Sequence, residues 1–236
     1  MRVRLRFTKM GKVRFVGHRD VARILERSLR RAALPLAMTE GFSPRPKVHF
    51  GLALSTGHES LGEYLDVDLR DDADPVHCEA LPAQLSALLP TGIEVTNAAV
   101  IDRRETSLQQ AVTSCSWRID LAGVDAGSVT DRAATLLARD TIPVVRERKG
   151  NTVHDDLRPS VVDLEVDGLT VLAELATQPR GVRPAELLAA FDPPLPDPLT
   201  EGGRVCRTQQ WITTADGAKR EPLHATPAPH AEVRAS

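Results

Sequence analysis

Residues 2 to 8, RVRLRFT, alternate Arg2, Arg4 and Arg6 with Val3, Leu5 and Phe7. That period of two predicts a half-buried strand whose basic side faces outward. Helical spacing follows: Val21, Ile24, Leu25, Ser28, Leu29 and Ala32 predict a helix capped by Asp20 and ended by Pro35. Arg23, Arg27, Arg30 and Arg31 occupy its opposite face. The stretch TEGFSPRPKVHFGLALSTGHES, residues 39 to 60, predicts an extended arm turning at SPRP, because each Pro disfavours helix in the residue before it. KVHFGLALS then reads as a strand. GEYLDVDL reads as another, with Tyr64, Asp66 and Asp68 on one face and Leu65, Val67 and Leu69 on the other. A helix in PVHCEALPAQLSALLP and a strand in GIEVTNAAVI close the first half.

The order strand, helix, strand, strand, helix, strand is the split βαβ arrangement, and it recurs. SCSWRIDLA predicts a strand, and SVTDRAATLLARD a helix capped by Ser128 or Thr130. DLRPSVVDLEV and LTVLAELAT form a hairpin across Asp167 and Gly168. RPAELLAAF supplies the second helix and GGRVCRTQQWI the last strand. The expected fold class is α+β, with two tandem ferredoxin-like (βαββαβ) units and antiparallel sheets. The units span residues 1–101 and 114–213, with a connector at 102–113. Residues 214–236 lack apolar periodicity and are expected to be a disordered tail.

A composition of 42% hydrophobic residues and 26% charged ones, in 236 residues, supports a folded chain. With aromatics at 3%, its core is aliphatic. No apolar run reaches the roughly 20 residues of a membrane span, and the N-terminus lacks a signal-peptide apolar block, so the expected location is the cytoplasm, with no membrane partner. Cys78, Cys115 and Cys206 are widely separated, which disfavours a disulfide framework and a cysteine metal site. They also lack the CxxxCxxC spacing of a radical SAM cluster, so no cofactor is expected here. Glycine spacing for a nucleotide-binding loop is absent as well.

The net charge of −2 conceals segregation. Residues 1 to 50 carry 13 Lys and Arg against 3 Asp and Glu, and the remainder sums to −12. A positive field on one part of the surface attracts phosphate-rich partners. The candidate phosphate contacts are Lys12, Arg19, Arg23, Arg27, Arg30, Arg31, Arg45 and Lys47, with Phe42 as a ring for unpaired bases. Phe50, inside an apolar strand, reads as core. Arg148 and Lys149, in the basic hairpin RERKGNTVHDDLRP, complete the set. A solvated helix face is the competing reading of the arginine stripe.

His18 at the helix entrance, with Lys12, Arg19 and Arg45, meets the residue requirements of metal-independent RNA cleavage, particularly if His49 and His58 converge on it. Ordering of a loop is the simpler role for His18. No histidine and carboxylate spacing here is diagnostic of a metal site.

The runs GHRDVARILERSLRRAALPLAMTEGFSPRPKVHFGLALSTGHESLGEYLDVDL and RERKGNTVHDDLRPSVVDLEV closely resemble the radical SAM-linked proteins, a family with a domain of unknown function. The likeness covers roughly residues 1 to 213. Members are encoded beside, or fused to, B12-binding-type radical SAM proteins, so the resemblance implies such a partner. The architecture also resembles that of the RNA endonucleases of CRISPR systems, although fold alone does not give function. The expected role is an RNA-binding accessory subunit in tRNA or rRNA modification or processing. A metal-independent ribonuclease or RNA-modifying enzyme, and a protein-interaction module docking on the partner without RNA, are the alternatives.

Overall fold

A computed structural model of the chain describes residues 1–72, 74, 76–148 and 150–223. The described residues form a mixed α+β structure with antiparallel strand pairing and six α-helices. They fall into two compact units: Met1–Thr56 and Ser60–Ala111 with the segment from Glu221, and Gly57–Glu59 with Val112–Arg220.

The first unit runs β1 (Arg2–Lys9), α1 (His18–Arg31), β2 (Val48–Phe50), β3 (Glu59–Asp68), α2 (Leu81–Ser86), β4 (Val95–Ile101) and the single turn α3 (Leu108–Ala111). Antiparallel β1 lies between β4 and β3, and β2 pairs with β3. Val3, Leu5 and Phe7 of β1 share a core with Val21, Leu25 and Leu29 of α1 and with Leu81 and Leu85 of α2. Burial of such side chains contributes about 1.5–3 kcal/mol each. The apolar spacing in α1 thus marks its buried stripe, but Asp20 is not the cap. Gly17 holds that position, and Asp20 stands in the first turn, where a carboxylate complements the helix dipole. The helix ends at Arg31, and Ala33 takes a left-handed φ of 54° before Pro35. The strand expected across KVHFGLALS is confined to Val48–Phe50.

The second unit runs β5 (Ser114–Asp120), α4 (Ala126–Leu137), β6 (Pro143–Arg148), β7 (Asn151–Asp156), β8 (Val161–Asp167), β9 (Thr170–Ala176), α5 (Pro184–Ala189), α6 (Pro198–Glu201), β10 (Arg204–Thr213) and β11 (Lys219–Arg220). Here β5 lies between β10 and β9, and β8 pairs with β9. The strands β6 and β7 form a separate hairpin. Asp125, rather than Ser128 or Thr130, caps α4 by accepting the Ser128 N–H at 2.9 Å. Gly168 makes the expected turn between β8 and β9 with φ 59°.

The basic side of β1 does not face solvent. Arg4 and Arg6 are both buried. Arg4 forks onto Asp66 with bonds of 2.7 and 2.9 Å, and Arg2 reaches Asp68 at 2.7 and 3.3 Å. The pairing register explains this, since Arg2, Arg4 and Arg6 stand opposite Asp68, Asp66 and Tyr64 on β3. Chain expected in the tail covers part of this ladder. After β11, Arg4 donates to the Pro222 carbonyl at 3.4 Å, Tyr64 donates to that of Leu223 at 3.4 Å, and Arg6 lies 3.7 Å from the Glu221 carboxylate. Residues 214 to 223 are therefore part of the described fold; 224 to 236 lie outside it.

Candidate nucleic-acid interface

Because α1 buries only one stripe, its other positions point outward, and Arg19, Arg23, Arg27, Arg30 and Arg31 are all exposed. Arg23 bonds Asp20 at 3.0 Å. Among the described residues, the other four have no carboxylate at ion-pair distance. Positions 19, 23, 27 and 31 succeed one another at intervals of four. Like charges at that spacing destabilise a helix by about 0.2–0.5 kcal/mol per pair. A face built only for solvation gains by interleaving acids, yet α1 holds just Asp20 and Glu26. This arrangement is suited to a polyanion that supplies the missing negative charge.

The arm is a narrow loop with backbone bonds from Thr39 N–H to the Arg45 carbonyl and from Lys47 N–H to the Ala37 carbonyl, both 2.8 Å. The Thr39 hydroxyl accepts the Arg45 N–H at 3.0 Å. Its base is fixed to β3 through Ala37 N–H to the Asp68 carbonyl and Asp68 N–H to the Lys47 carbonyl, both 2.9 Å. Gly41, at φ 118°, turns the tip, in a conformation that side-chain-bearing residues rarely adopt. Phe42 at this tip is fully exposed. Arg45 and Lys47 are exposed too.

Lys12 is exposed on the 3-10 turn Gly11–Phe15 that precedes α1. Sequence reasoning passed over Phe15 on the same turn. It is 62% exposed, with the Arg14 guanidinium 4.6 Å from its ring centroid. The signal was a Phe preceded by Lys12 and Arg14 in GKVRFVG. Lys149 and the side chain of Arg148 lie outside the described residues. Arg146 of that hairpin bonds Asp155 at 2.8 Å, as does Arg180, which also reaches Glu186 at 2.7 Å. The Arg180 hydrogen bond, more than any other contact, holds the Asp155 carboxyl below its ordinary range.

The outward field is narrower than the charge count of the first fifty residues implies. Arg2, Arg4 and Arg6 belong to the ladder, and buried Lys9 donates to the Arg14 carbonyl at 3.0 Å. The exposed cations that remain are mainly those of α1, the arm and Lys12.

The three histidines have separate neighbours. His18 is exposed, its ring edge-on to Phe50 at 5.2 Å. His49 contacts Asp68 at 3.2 Å, and buried His58 stands edge-on to Trp117 at 6.0 Å. His18 also lines a cleft of about 20 Å³ with Lys9, Phe50, Glu63 and Tyr64. That volume holds roughly one water molecule, so a base or larger ligand must bind on the surface. Burial raises the Tyr64 phenol far above its usual range, against the lowering effect of Arg6. Among the described residues there is no group of three or more His, Cys, Asp and Glu placed to hold a metal ion. No helix among them is long and apolar enough to cross a membrane.

A chain with this α+β arrangement and an exposed basic helix finds its counterpart in sequence over residues 2–184, which match the model of a bacterial family with a domain of unknown function. The chain belongs to that family, described as "Uncharacterized protein conserved in bacteria (DUF2344)". No curated protein matches it.

Proposed function

We propose that this chain is an RNA-binding accessory subunit that works in the cytoplasm with a B12-binding-type radical SAM enzyme, in tRNA or rRNA modification or processing. The observation that carries the RNA reading is the exposed row Arg19, Arg23, Arg27, Arg30 and Arg31, with Arg45 and Lys47 on the arm. Phosphates accept from Arg forks and neutralise a row that is otherwise self-repelling. The radical SAM partnership rests on the sequence resemblance. The fold reading beneath it is a tandem of ferredoxin-like units. In each, the first strand lies between its last and third, once β6, β7, α6 and β11 are set aside.

The test is recovery of bound RNA and protein from cells at two salt concentrations, for wild type and Arg27→Glu/Arg45→Glu. A defined tRNA or rRNA lost at high salt and in the variant supports the reading. Recovery of a radical SAM protein alone replaces it with a protein-docking role for the same face.

RNA cleavage is a second reading, favoured by one observation: exposed His18 lines a cleft with Lys9, Glu63 and Tyr64. It requires His18→Ala to lose turnover while retaining RNA. Retained binding with no turnover in the wild type removes it.

A further inference from the structure

We infer that the RNA taken by this surface is unpaired, and that Phe15 and Phe42 are the rings on which its bases stack. The inference rests on the RNA-binding reading and deepens it. The chain has five Phe, two Trp and one Tyr among 236 residues. Phe7 and Phe191 are buried, and Phe50 packs on His18. The other two phenylalanines are on the surface, Phe15 under the Arg14 guanidinium and Phe42 on the arm that carries Arg45 and Lys47.

Their placement is specific. Phe15 lies just ahead of the first residue of α1, and Phe42 tips the arm that follows its last turn. Along the chain the arginine row lies between them, on a helix about 21 Å long at 1.5 Å per residue. Cations track a backbone and rings hold bases, the two elements of single-strand recognition. A duplex keeps its bases stacked inside and offers proteins mainly phosphates and 2′-hydroxyls across a shallow groove. Exposed phenyl rings have no partner there. At Phe15 the Arg14 guanidinium stands over the ring, so a base on the opposite face completes a cation, ring and base stack.

The experiment measures affinity of the full chain for an oligouridine of about a dozen nucleotides and for a duplex of equal length, across a salt series. Wild type is expected to prefer the single strand. Phe42→Ala and Phe15→Ala are each expected to weaken single-strand binding about 5- to 100-fold, with the salt slope unchanged because no charge is removed. Phe42→Trp is expected to retain affinity, and its added fluorescence to be quenched on binding. Equal affinity for duplex, or full affinity in the Phe15→Ala/Phe42→Ala double variant, overturns this inference while leaving RNA binding in place. If no RNA binds in a salt-dependent way, the underlying reading fails with it. A radical SAM protein captured through Phe42 without RNA assigns the rings to a protein contact.

Discussion

Arg4 stands directly opposite Asp66 on the neighbouring strand and holds it with two bonds of 2.7 and 2.9 Å, their side chains only 1% and 3% exposed. Desolvation of a buried pair offsets much of its attraction, so its net gain over an apolar pair is small. Breaking it is another matter, because Arg4 then stays buried with only the exposed Glu105 carboxylate, at 3.3 Å, to balance it. Asp66→Ala is expected to destabilise the chain by about 3–5 kcal/mol in urea unfolding. The double variant Arg4→Met/Asp66→Leu is expected to recover much of that loss. A single-variant cost no larger than that of a surface change rules out the ladder as a structural element.

Asp68 gives the acid limb of stability. Burial pushes its carboxyl upward, but hydrogen bonds from Arg2 and His49 outweigh that and leave it below its ordinary 3.8. A folded value below the unfolded one contributes stability above about pH 4 and loses it as pH falls through the folded value. Asp68→Asn should therefore be less stable than wild type at neutral pH, with the two curves converging in acid. Parallel curves across that range contradict this account.

Exposed charges on α1 and the arm should behave in the opposite manner. Neither Arg27→Glu nor Arg45→Glu is expected to destabilise the fold by more than about 0.5 kcal/mol, since neither side chain is buried, and Arg27→Glu, which turns two like-charge pairs on α1 into opposite-charge ones, is expected to stabilise it. Each is expected to reduce the logarithmic salt slope of RNA binding by about 1 or more. A large stability loss with an unaltered slope places these arginines in the fold rather than the interface.

Gly92, between α2 and β4, has φ 97°, and a Cβ there would lie 2.3 Å from the Met10 carbonyl oxygen. The Met10 N–H donates to the Gly92 carbonyl at 2.7 Å. Gly92→Ala must disturb this close approach, and is expected to cost roughly 2–4 kcal/mol. A neutral effect on thermal unfolding refutes the tight contact.

Alternation and helical spacing made β1 and α1 legible, because each reflects one apolar face meeting one core. The same alternation misassigned Arg2, Arg4 and Arg6. A polar side turned to water and a polar side matched to another strand look alike within seven residues. The information lay in Asp66 and Asp68, some sixty positions away, and became readable only with β3 beside β1. Asp20 illustrates a smaller ambiguity, since an acid near a helix start suits either the cap or the first turn. The arginine stripe was legible because helical geometry puts it opposite Val21, Leu25 and Leu29. Phe15 was not, because its exposure depends on the 3-10 turn leaving it no core to enter.

The ladder also gives the folding chain a way to reject a misaligned sheet. Sliding β1 by one residue along β3 sets Arg4 opposite Leu65 or Val67, with no carboxylate to receive it. Sliding by two in one direction brings Arg2 against Arg70 while setting Arg4 and Arg6 against Asp68 and Asp66, and in the other it leaves Arg2 against Asp66 and brings Arg4 against Tyr64. Strand alignment is ordinarily enforced by which face is apolar, a criterion blind to steps of two. Here charge weighs against such steps as well, by a lost carboxylate pair in one direction and by Arg2 meeting Arg70 in the other, so the arginines most hidden from any partner help to align the sheet.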